Sequence, residues 1–239
     1  MYKNMPTGDL WVITENRKES QWYKKKFRLK FDSINNKNLK DLLKKYIWHN
    51  YKVGNKELST LRQQCNNDLP RFIQFLISRS VELKTISNND IDNFLSELRT
   101  AISPKSNKPL SNEFQRKILS SVKDFIHWCQ LYEPVSVTKD ETFTGNEIMQ
   151  SSKLHVDFIP DEVLEQINNA LLTESNAYLK YGIIILQSTG MRIGDLLTLK
   201  IDCIKPHPIN GYMLEWEQHK TKKNHSLPIR SEILGIADD

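Results

Sequence analysis

Apolar side chains recur at the spacing of helix turns through most of the first half of this chain. The helices predicted from that pattern span 38–51, 56–78 with an interruption at Pro70, 88–100 and 112–132. Ser87 and Ser111 stand just before two of them, where a serine hydroxyl caps free backbone amides. Before the helices, residues 10–14 and 27–31 have an extended pattern, which predicts a short hairpin.

The most apolar run of the sequence, 181–187, predicts a buried helix that ends at Gly190. We interpret the two tyrosines of this region, Tyr178 and Tyr181, as core aromatics. Residues 191–199 then predict a short second helix. Its inward side chains are expected to be Leu196, Leu197 and Leu199.

Beyond residue 199 the pattern changes from helical to strand-like. Alternating apolar residues predict strands over 199–204, 212–219 and 226–229, separated by turns rich in Pro, Asn and Gly. Another helix is expected from about residue 159, with Pro160 in its first turn. The fold class that follows is mainly α, with a small three-stranded antiparallel sheet.

Shifts in composition divide the chain into four parts. We predict a basic N-terminal segment at 1–35, a helical domain at 36–133, a linker at 134–153 and a second domain at 154–239. The linker is assigned because Pro134, a Ser/Thr-rich stretch and Gly145 break the helical periodicity.

Charge is unevenly distributed along the chain. The net charge is +5, but residues 1–52 carry 13 Lys and Arg against 5 Asp and Glu. There the cations alternate with aromatic residues, a combination suited to a phosphate backbone, although a solvated helix face gives the same pattern. No apolar run is long enough to span a bilayer and no signal peptide begins the chain, so we expect a cytoplasmic protein.

The three cysteines, Cys65, Cys129 and Cys203, are odd in number and widely separated. Their spacing does not match a metal-binding set, so we predict buried free thiols and no metal site. No glycine-rich nucleotide-binding loop is present either, and we expect no small-molecule cofactor.

One arginine stands at the glycine-marked junction of the two predicted C-terminal helices, within QSTGMRIGDLLTL at 187–199. The guanidinium of Arg192 is permanently charged and presents a rigid fork of donors that fits a carboxylate or a phosphate. Asp195 lies three residues on, on the same helical face, and is placed to orient it. The alternative is a solvent-exposed Arg192–Asp195 pair of little consequence.

The predicted hairpin between the last two strands has a basic tip, HKTKKNH at 219–225. Lysine clusters at turns are usually solvated, so a solvated turn without a functional role remains an alternative interpretation of this tip.

The segment TGMRIGDLLTL at 189–199 resembles the first-arginine box of the tyrosine recombinases, the phage-integrase and Xer-type family of DNA strand exchangers. In that family an active-site lysine lies at this hairpin, about eight residues before a proline of the third strand. The resemblance therefore implies Lys220 as the active-site lysine, with Lys222 as the alternative because hairpin register is easily misjudged by two. The helical domain at 36–133 resembles the family's core-binding domain.

The resemblance implies a reaction without metal or cofactor. A tyrosine attacks a DNA phosphodiester and forms a 3′-phosphotyrosyl link, arginines stabilise the phosphorane, and the lysine protonates the leaving 5′ oxygen. Arg192 and Lys220 would take these parts, with Asp195 in support of the arginine. The implied partner is double-stranded DNA, on which family members assemble as homo-oligomers, and the implied location is the nucleoid.

The chain departs from the family pattern after the hairpin. It contains no His-x-x-Arg box, its only arginine after Lys220 is Arg230, and no tyrosine follows Tyr212. We therefore expect a truncated recombinase that binds DNA without cleaving it and leaves apolar surface around 183–197 uncovered. The alternatives are a non-catalytic DNA-binding protein or regulator derived from a recombinase, and a helical scaffold without a nucleic-acid role. The residues predicted to contact DNA are Lys24, Lys25, Lys26, Lys37, Lys40, Lys44, Lys45, Lys222 and Lys223.

Overall fold

The computed structural model divides the chain into two compact units, Met1–His155 and Val156–Asp239. We call them the N-terminal and C-terminal units. The structure describes residues 2–18, 20, 22–103, 106–145, 147, 158–209, 211–219 and 221–229.

The N-terminal unit begins with an antiparallel hairpin of strands β1 (Leu10–Thr14) and β2 (Lys26–Lys30). Alternation places one face of the ribbon in the core and the other in solvent. The inward side chains are Trp11, Ile13, Phe27 and Leu29, none more than 8% exposed. The predicted hairpin is thus present. It lies within the predicted basic segment 1–35, and its inward side chains belong to the same core as the helices.

Five α-helices and one π-helical segment follow the hairpin. They are α1 (Lys37–Val53), α2 (Leu58–Gln63), the π-helical segment Gln64–Asp68, α3 (Leu69–Ser78), α4 (Asn88–Thr100) and α5 (Asn112–Tyr132). Ser87 forms a capping box with Asp90, and the Ser111 hydroxyl accepts from the amide of Phe114. These caps fix the starts of α4 and α5 at the residues predicted from the sequence.

The core of this unit is aromatic and aliphatic, with Tyr46, Phe72, Phe94 and Phe125 fully buried. Cys65 lies in this core, and burial raises the pKa of its thiol to about 12, so the group stays a neutral thiol.

The first half of the predicted linker is not detached from this unit. Val137 is 4% exposed and Phe143 is 7% exposed, and both belong to the core of the N-terminal unit. The amide of Thr138 also donates to the carbonyl of Leu83 at 2.8 Å. The second half of the predicted linker lies mostly outside the described residues.

The C-terminal unit has three helices followed by a three-stranded sheet. Its elements are α6 (Asp161–Thr173), α7 (Ala177–Thr189), α8 (Ile193–Leu196), β3 (Ile204–Pro206), β4 (Tyr212–Gln218) and β5 (Lys223–Ile229). The sheet is antiparallel in the order β3-β4-β5. The chain is therefore mainly helical with two small antiparallel sheets, one of them three-stranded.

Three details of the C-terminal unit differ from the prediction. Helix α7 has no fully buried residue, and Tyr178 is 94% exposed and Tyr181 40% exposed, so neither is a core aromatic. Leu197 is 78% exposed because α8 ends one residue before it. The first strand begins at Ile204 and not at residue 199, because hydrogen-bonded turns occupy the residues after α8.

Among the helices that the structure describes, none is both long and apolar enough to cross a membrane.

Candidate functional site

The junction of α7 and α8 is built by a left-handed glycine. Gly190 has φ +62° and donates its amide to the carbonyl of Leu186 at 2.9 Å, which closes α7. Arg192 then has an extended backbone and caps α8, its carbonyl accepting from the amides of Asp195 at 2.9 Å and Leu196 at 3.1 Å. The glycine thus fixes where the arginine leaves the backbone.

The side chain of Arg192 is exposed. Within the described part of the chain its guanidinium has no hydrogen-bond or ion-pair partner. Its donors are exposed and available to an anion.

Asp195 does not pair with Arg192. Its side chain is 4% exposed, and Oδ1 accepts a hydrogen bond from the backbone amide of His219 at 3.0 Å. This rules out the solvent-exposed Arg192–Asp195 pair that was the alternative interpretation. The carboxylate instead connects the arginine helix to the end of β4, 24 residues further along the chain.

The β4–β5 hairpin carries the basic tip. Gln218 pairs with Lys223 at the ends of the two strands, His219, Thr221 and Lys222 lie in the loop between them, and Lys222 has φ +55°. The Lys222 ammonium lies 3.3 Å from Nδ1 of His219 and 3.9 Å from a carboxylate oxygen of Glu217. Lys220, the predicted active-site lysine, lies outside the described residues, so its position relative to Arg192 stays a prediction.

A groove of about 580 Å³ lies between the end of α8 and the sheet. Asp195, Trp216, His219, Lys222 and His225 are among the residues that line it. Arg192 is not among the described lining residues.

Three buried polar atoms of groove residues have no hydrogen-bond partner within the described part of the chain: Oδ2 of Asp195, Nε1 of Trp216 and Nε2 of His225. Trp216 and His225 face each other across β4 and β5 and stack with ring centroids 5.0 Å apart. Sequence reasoning missed this pair, although its cross-strand register follows once the hairpin loop is known.

Two of the α1 lysines predicted to contact DNA are paired with Asp9. The ammonium groups of Lys40 and Lys44 each lie 2.7 Å from its carboxylate, and Lys44 is only 6% exposed. Their hydrogen bonds hold the pKa of Asp9 below its ordinary value.

Lys45 is paired as well, with Glu133 at 2.8 Å. The structure therefore gives Lys40, Lys44 and Lys45 internal partners that the sequence pattern did not reveal.

The other predicted DNA-contacting lysines are exposed. Lys24 lies in the β1–β2 turn with φ +64°, and Lys25 lies 3.9 Å from the centroid of the Trp22 ring. Lys26, Lys37 and Lys223 are also exposed.

Among the described residues, no group of three or more His, Cys, Asp or Glu side chains is placed to hold a metal ion.

Comparison with known proteins finds similarity mainly in the C-terminal unit. The model of the phage integrase family matches residues 157–238. Transposase B from transposon PsiTn554 of Staphylococcus aureus is 39% identical over 77 residues, which are 32% of this chain and 12% of that protein. A tyrosine recombinase of Pseudothermotoga lettingae is 24% identical over 166 residues, or 70% of this chain and 54% of that protein.

The chain thus covers between about an eighth and about half of the length of these relatives. Among solved structures, the XerH site-specific recombinase bound to its difH substrate aligns with a TM-score of 0.48 and 17% identity, over 87% of this chain and 61% of that one. The family match lies where the glycine junction, Arg192 and the basic hairpin occur together. Residues 157–238 of this chain thus match the model of the phage integrase family, and the proteins similar to the chain include transposases and a tyrosine recombinase.

Proposed function

We propose that this chain binds duplex DNA and contributes the first arginine and the hairpin lysine of a tyrosine-recombinase site. The hydrogen bond from the His219 amide to Asp195 carries the proposal, because it joins the arginine box to the lysine hairpin. Two cationic elements held together in this way suit a single phosphate, where charge develops during strand cleavage.

In this proposal each residue has one task. Arg192 donates to the non-bridging oxygens of the scissile phosphate, for which its exposed guanidinium is available. Lys220, or Lys222 in the alternative register, protonates the departing 5′ oxygen as general acid. Asp195 holds the hairpin that carries the lysine. The attacking hydroxyl comes from a tyrosine in the relatives' reaction, and no tyrosine follows Tyr212 in these 239 residues.

Binding to DNA is tested with a fluorescent duplex titrated over a series of salt concentrations. We expect log Kd to depend linearly on log salt, with a slope of about 0.9 per phosphate contacted. Arg192→Gln should lower that slope by about 0.9. Arg116→Gln, at an exposed arginine of α5, serves as the matched control and should leave it unchanged. A flat salt response of the wild type would contradict DNA binding.

A second experiment tests whether these 239 residues can cleave DNA on their own. The purified 239-residue chain is incubated with a nicked suicide duplex, and covalent adducts are sought on a denaturing gel. We expect no adduct, because the chain has no tyrosine beyond Tyr212 to act as nucleophile. An adduct would show that another residue attacks the phosphate and would refute the expectation that these 239 residues bind DNA without cleaving it.

Assembly on DNA belongs to the same proposal. We expect several copies to bind one duplex, measured by analytical ultracentrifugation of the complex. A one-to-one complex at saturation would exclude the homo-oligomer.

A further inference from the structure

The outward face of the β1–β2 ribbon carries an uninterrupted row of cations. Because Trp11, Ile13, Phe27 and Leu29 occupy the core face, alternation directs the remaining side chains to solvent. On β2 these are Lys26, Arg28 and Lys30, and all three are exposed. Alternate strand residues are about 6.7 Å apart, so each cation is free to meet a separate anionic group.

None of these three cations has an ion-pair or ring partner within the described part of the chain. The nearby α1 lysines differ, since the ammonium groups of Lys40 and Lys44 both pair with the Asp9 carboxylate at 2.7 Å. The outward face contains no acidic residue: β1 contributes Leu10, Val12 and Thr14 to it. A row of unpaired positive charges without a counter-charge is complementary to a polyanion.

One side chain makes two hydrogen bonds to the free edge of β2, where the Cys65 thiol also donates to the carbonyl of Lys30 at 3.5 Å. Asn66, in the π-helical segment, accepts from the amide of Lys30 at 2.9 Å and donates to the carbonyl of Arg28 at 3.0 Å. These two bonds satisfy edge groups that would otherwise be open to strand pairing. They also hold the backbone that carries the row of cations, so a ligand does not have to order it.

Two aliphatic side chains lie beside the cations. Leu10 is 56% exposed and pairs with Lys30, and Val12 is 55% exposed and pairs with Arg28. A face that is both basic and aliphatic suits a DNA groove, where cations meet phosphates and apolar groups meet sugars and thymine methyls. A two-stranded ribbon also fits the width of the major groove.

We propose that the outward face of the β1–β2 ribbon, through Lys26, Arg28 and Lys30, is a DNA-contacting surface that grips the phosphate backbone of the duplex. This inference rests on the proposed function, since it names a surface through which the chain holds the same duplex. In this proposal the main basic DNA-contacting surface of the N-terminal unit is the ribbon and not helix α1.

The test compares two triple variants in the duplex titration over a salt series. The ribbon variant is Lys26→Gln, Arg28→Gln, Lys30→Gln, and the matched control is Lys84→Gln, Lys117→Gln, Lys139→Gln, at exposed lysines of the same unit. Both variants remove three positive charges. We expect the ribbon variant to raise Kd roughly tenfold or more and to lower the slope of log Kd against log salt by about 2.7. The control variant should change Kd and the slope by less than the ribbon variant does.

Asn66→Leu provides an independent readout. It leaves every cation in place but removes both bonds to the edge of β2. We expect a higher Kd with an unchanged salt slope, because the ribbon is less ordered while the number of phosphates contacted stays the same.

The outcomes separate the two proposals. If the wild type binds DNA and the ribbon and control variants behave alike, the ribbon surface is refuted and the proposed function stands. If the wild type shows no salt-dependent binding, both fail. If the ribbon variant loses binding to anionic vesicles but keeps its affinity for DNA, the ribbon surface is also refuted. Circular dichroism checks folding, and single substitutions at the three positions replace the triple variant if it melts early.

Discussion

Asp195 shows how a correctly recognised motif residue acquires a different partner in the fold. Spacing along the helix predicted that it would orient Arg192, but its carboxylate accepts from the His219 amide at 3.0 Å. The side chain is 4% exposed, and Oδ2 has no partner within the described part of the chain. A buried carboxylate that holds a backbone amide stabilises local structure more than an exposed ion pair does.

Replacing Asp195 tests this role. Asp195→Ala leaves the His219 amide without its acceptor, and we expect it to lower the free energy of unfolding by about 1 to 3 kcal/mol. Asp195→Asn keeps an acceptor oxygen and should cost less than about 1 kcal/mol. Urea denaturation measures the free energies, and amide exchange at His219 reports the bond directly. Equal losses in the two variants would show that the hydrogen bond to His219 does not matter.

Asp68 is a buried acid in the N-terminal unit. It accepts from Gln63 and from the hydroxyl of Ser121, each at 2.9 Å. Burial nevertheless raises the pKa of its carboxyl above the ordinary 3.8, since removal from water disfavours the charged form.

That shift predicts a pH dependence with a definite sign. The folded chain holds the Asp68 proton to higher pH than the unfolded chain does, so the contribution of Asp68 is fully present below pH 3.8 and is lost as pH rises through the raised pKa. The stability of the wild type relative to Asp68→Asn should therefore fall with rising pH in that window and then level off. Urea unfolding of both proteins at a series of pH values measures the difference. A difference that grows in favour of the wild type would contradict the raised pKa.

Helix boundaries were the part of the fold most accessible to sequence. Helices α4 and α5 begin directly after Ser87 and Ser111, and α7 ends at Gly190, because capping depends on neighbouring residues alone. The π-helical segment Gln64–Asp68 was not predicted, since one extra residue in a helix turn leaves little trace in the apolar pattern. The strand predicted to begin at residue 199 starts at Ile204. Short apolar runs occur in turns as well as in strands, so the apolar pattern alone does not locate the start of the strand.

Gly190 and Gly194 form a matched pair for testing the α7–α8 junction. No atom lies within 4 Å of a Cβ added at either glycine, so substitution by alanine changes backbone freedom without a clash. Gly190 has φ +62°, and we expect Gly190→Ala to lower the free energy of unfolding by about 1 to 2 kcal/mol. Gly194 lies within α8, and we expect Gly194→Ala to raise the free energy of unfolding by about 0.5 to 1 kcal/mol. Thermal melts measure both, and effects of the same sign would contradict the left-handed cap.

The C-terminal unit presents apolar side chains that its own residues do not cover. Ile193 is 65% exposed and Leu197 78%, within the 183–197 region where uncovered apolar surface was expected, and Ile201 beyond it is fully exposed. The N-terminal unit differs, since its core encloses most of its large apolar residues. Contiguous exposed apolar residues favour association.

Substitution of this apolar stripe should improve solubility without weakening the fold. We expect Leu197→Gln with Ile201→Gln to raise the protein concentration at which light scattering appears, while the melting temperature stays unchanged. Leu214→Gln is the control, because Leu214 is 1% exposed and its replacement should cost at least about 2 kcal/mol. Unchanged scattering in the double variant would show that these side chains do not drive association.

The sequence by itself determined the helical character, the capped helix ends, the antiparallel sheet and the resemblance of 189–199 to a recombinase motif. Each of these features depends on residues close together in the chain, so periodicity, capping residues and motif spacing identify it without knowledge of the fold. Only the tertiary structure decided that Asp195 holds the hairpin, that Lys40, Lys44 and Lys45 pair with Asp9 or Glu133, and that Lys26, Arg28 and Lys30 share the outward face of the β1–β2 ribbon. Those pairings join residues distant in sequence, and their partners are chosen by packing and desolvation, which no local pattern records.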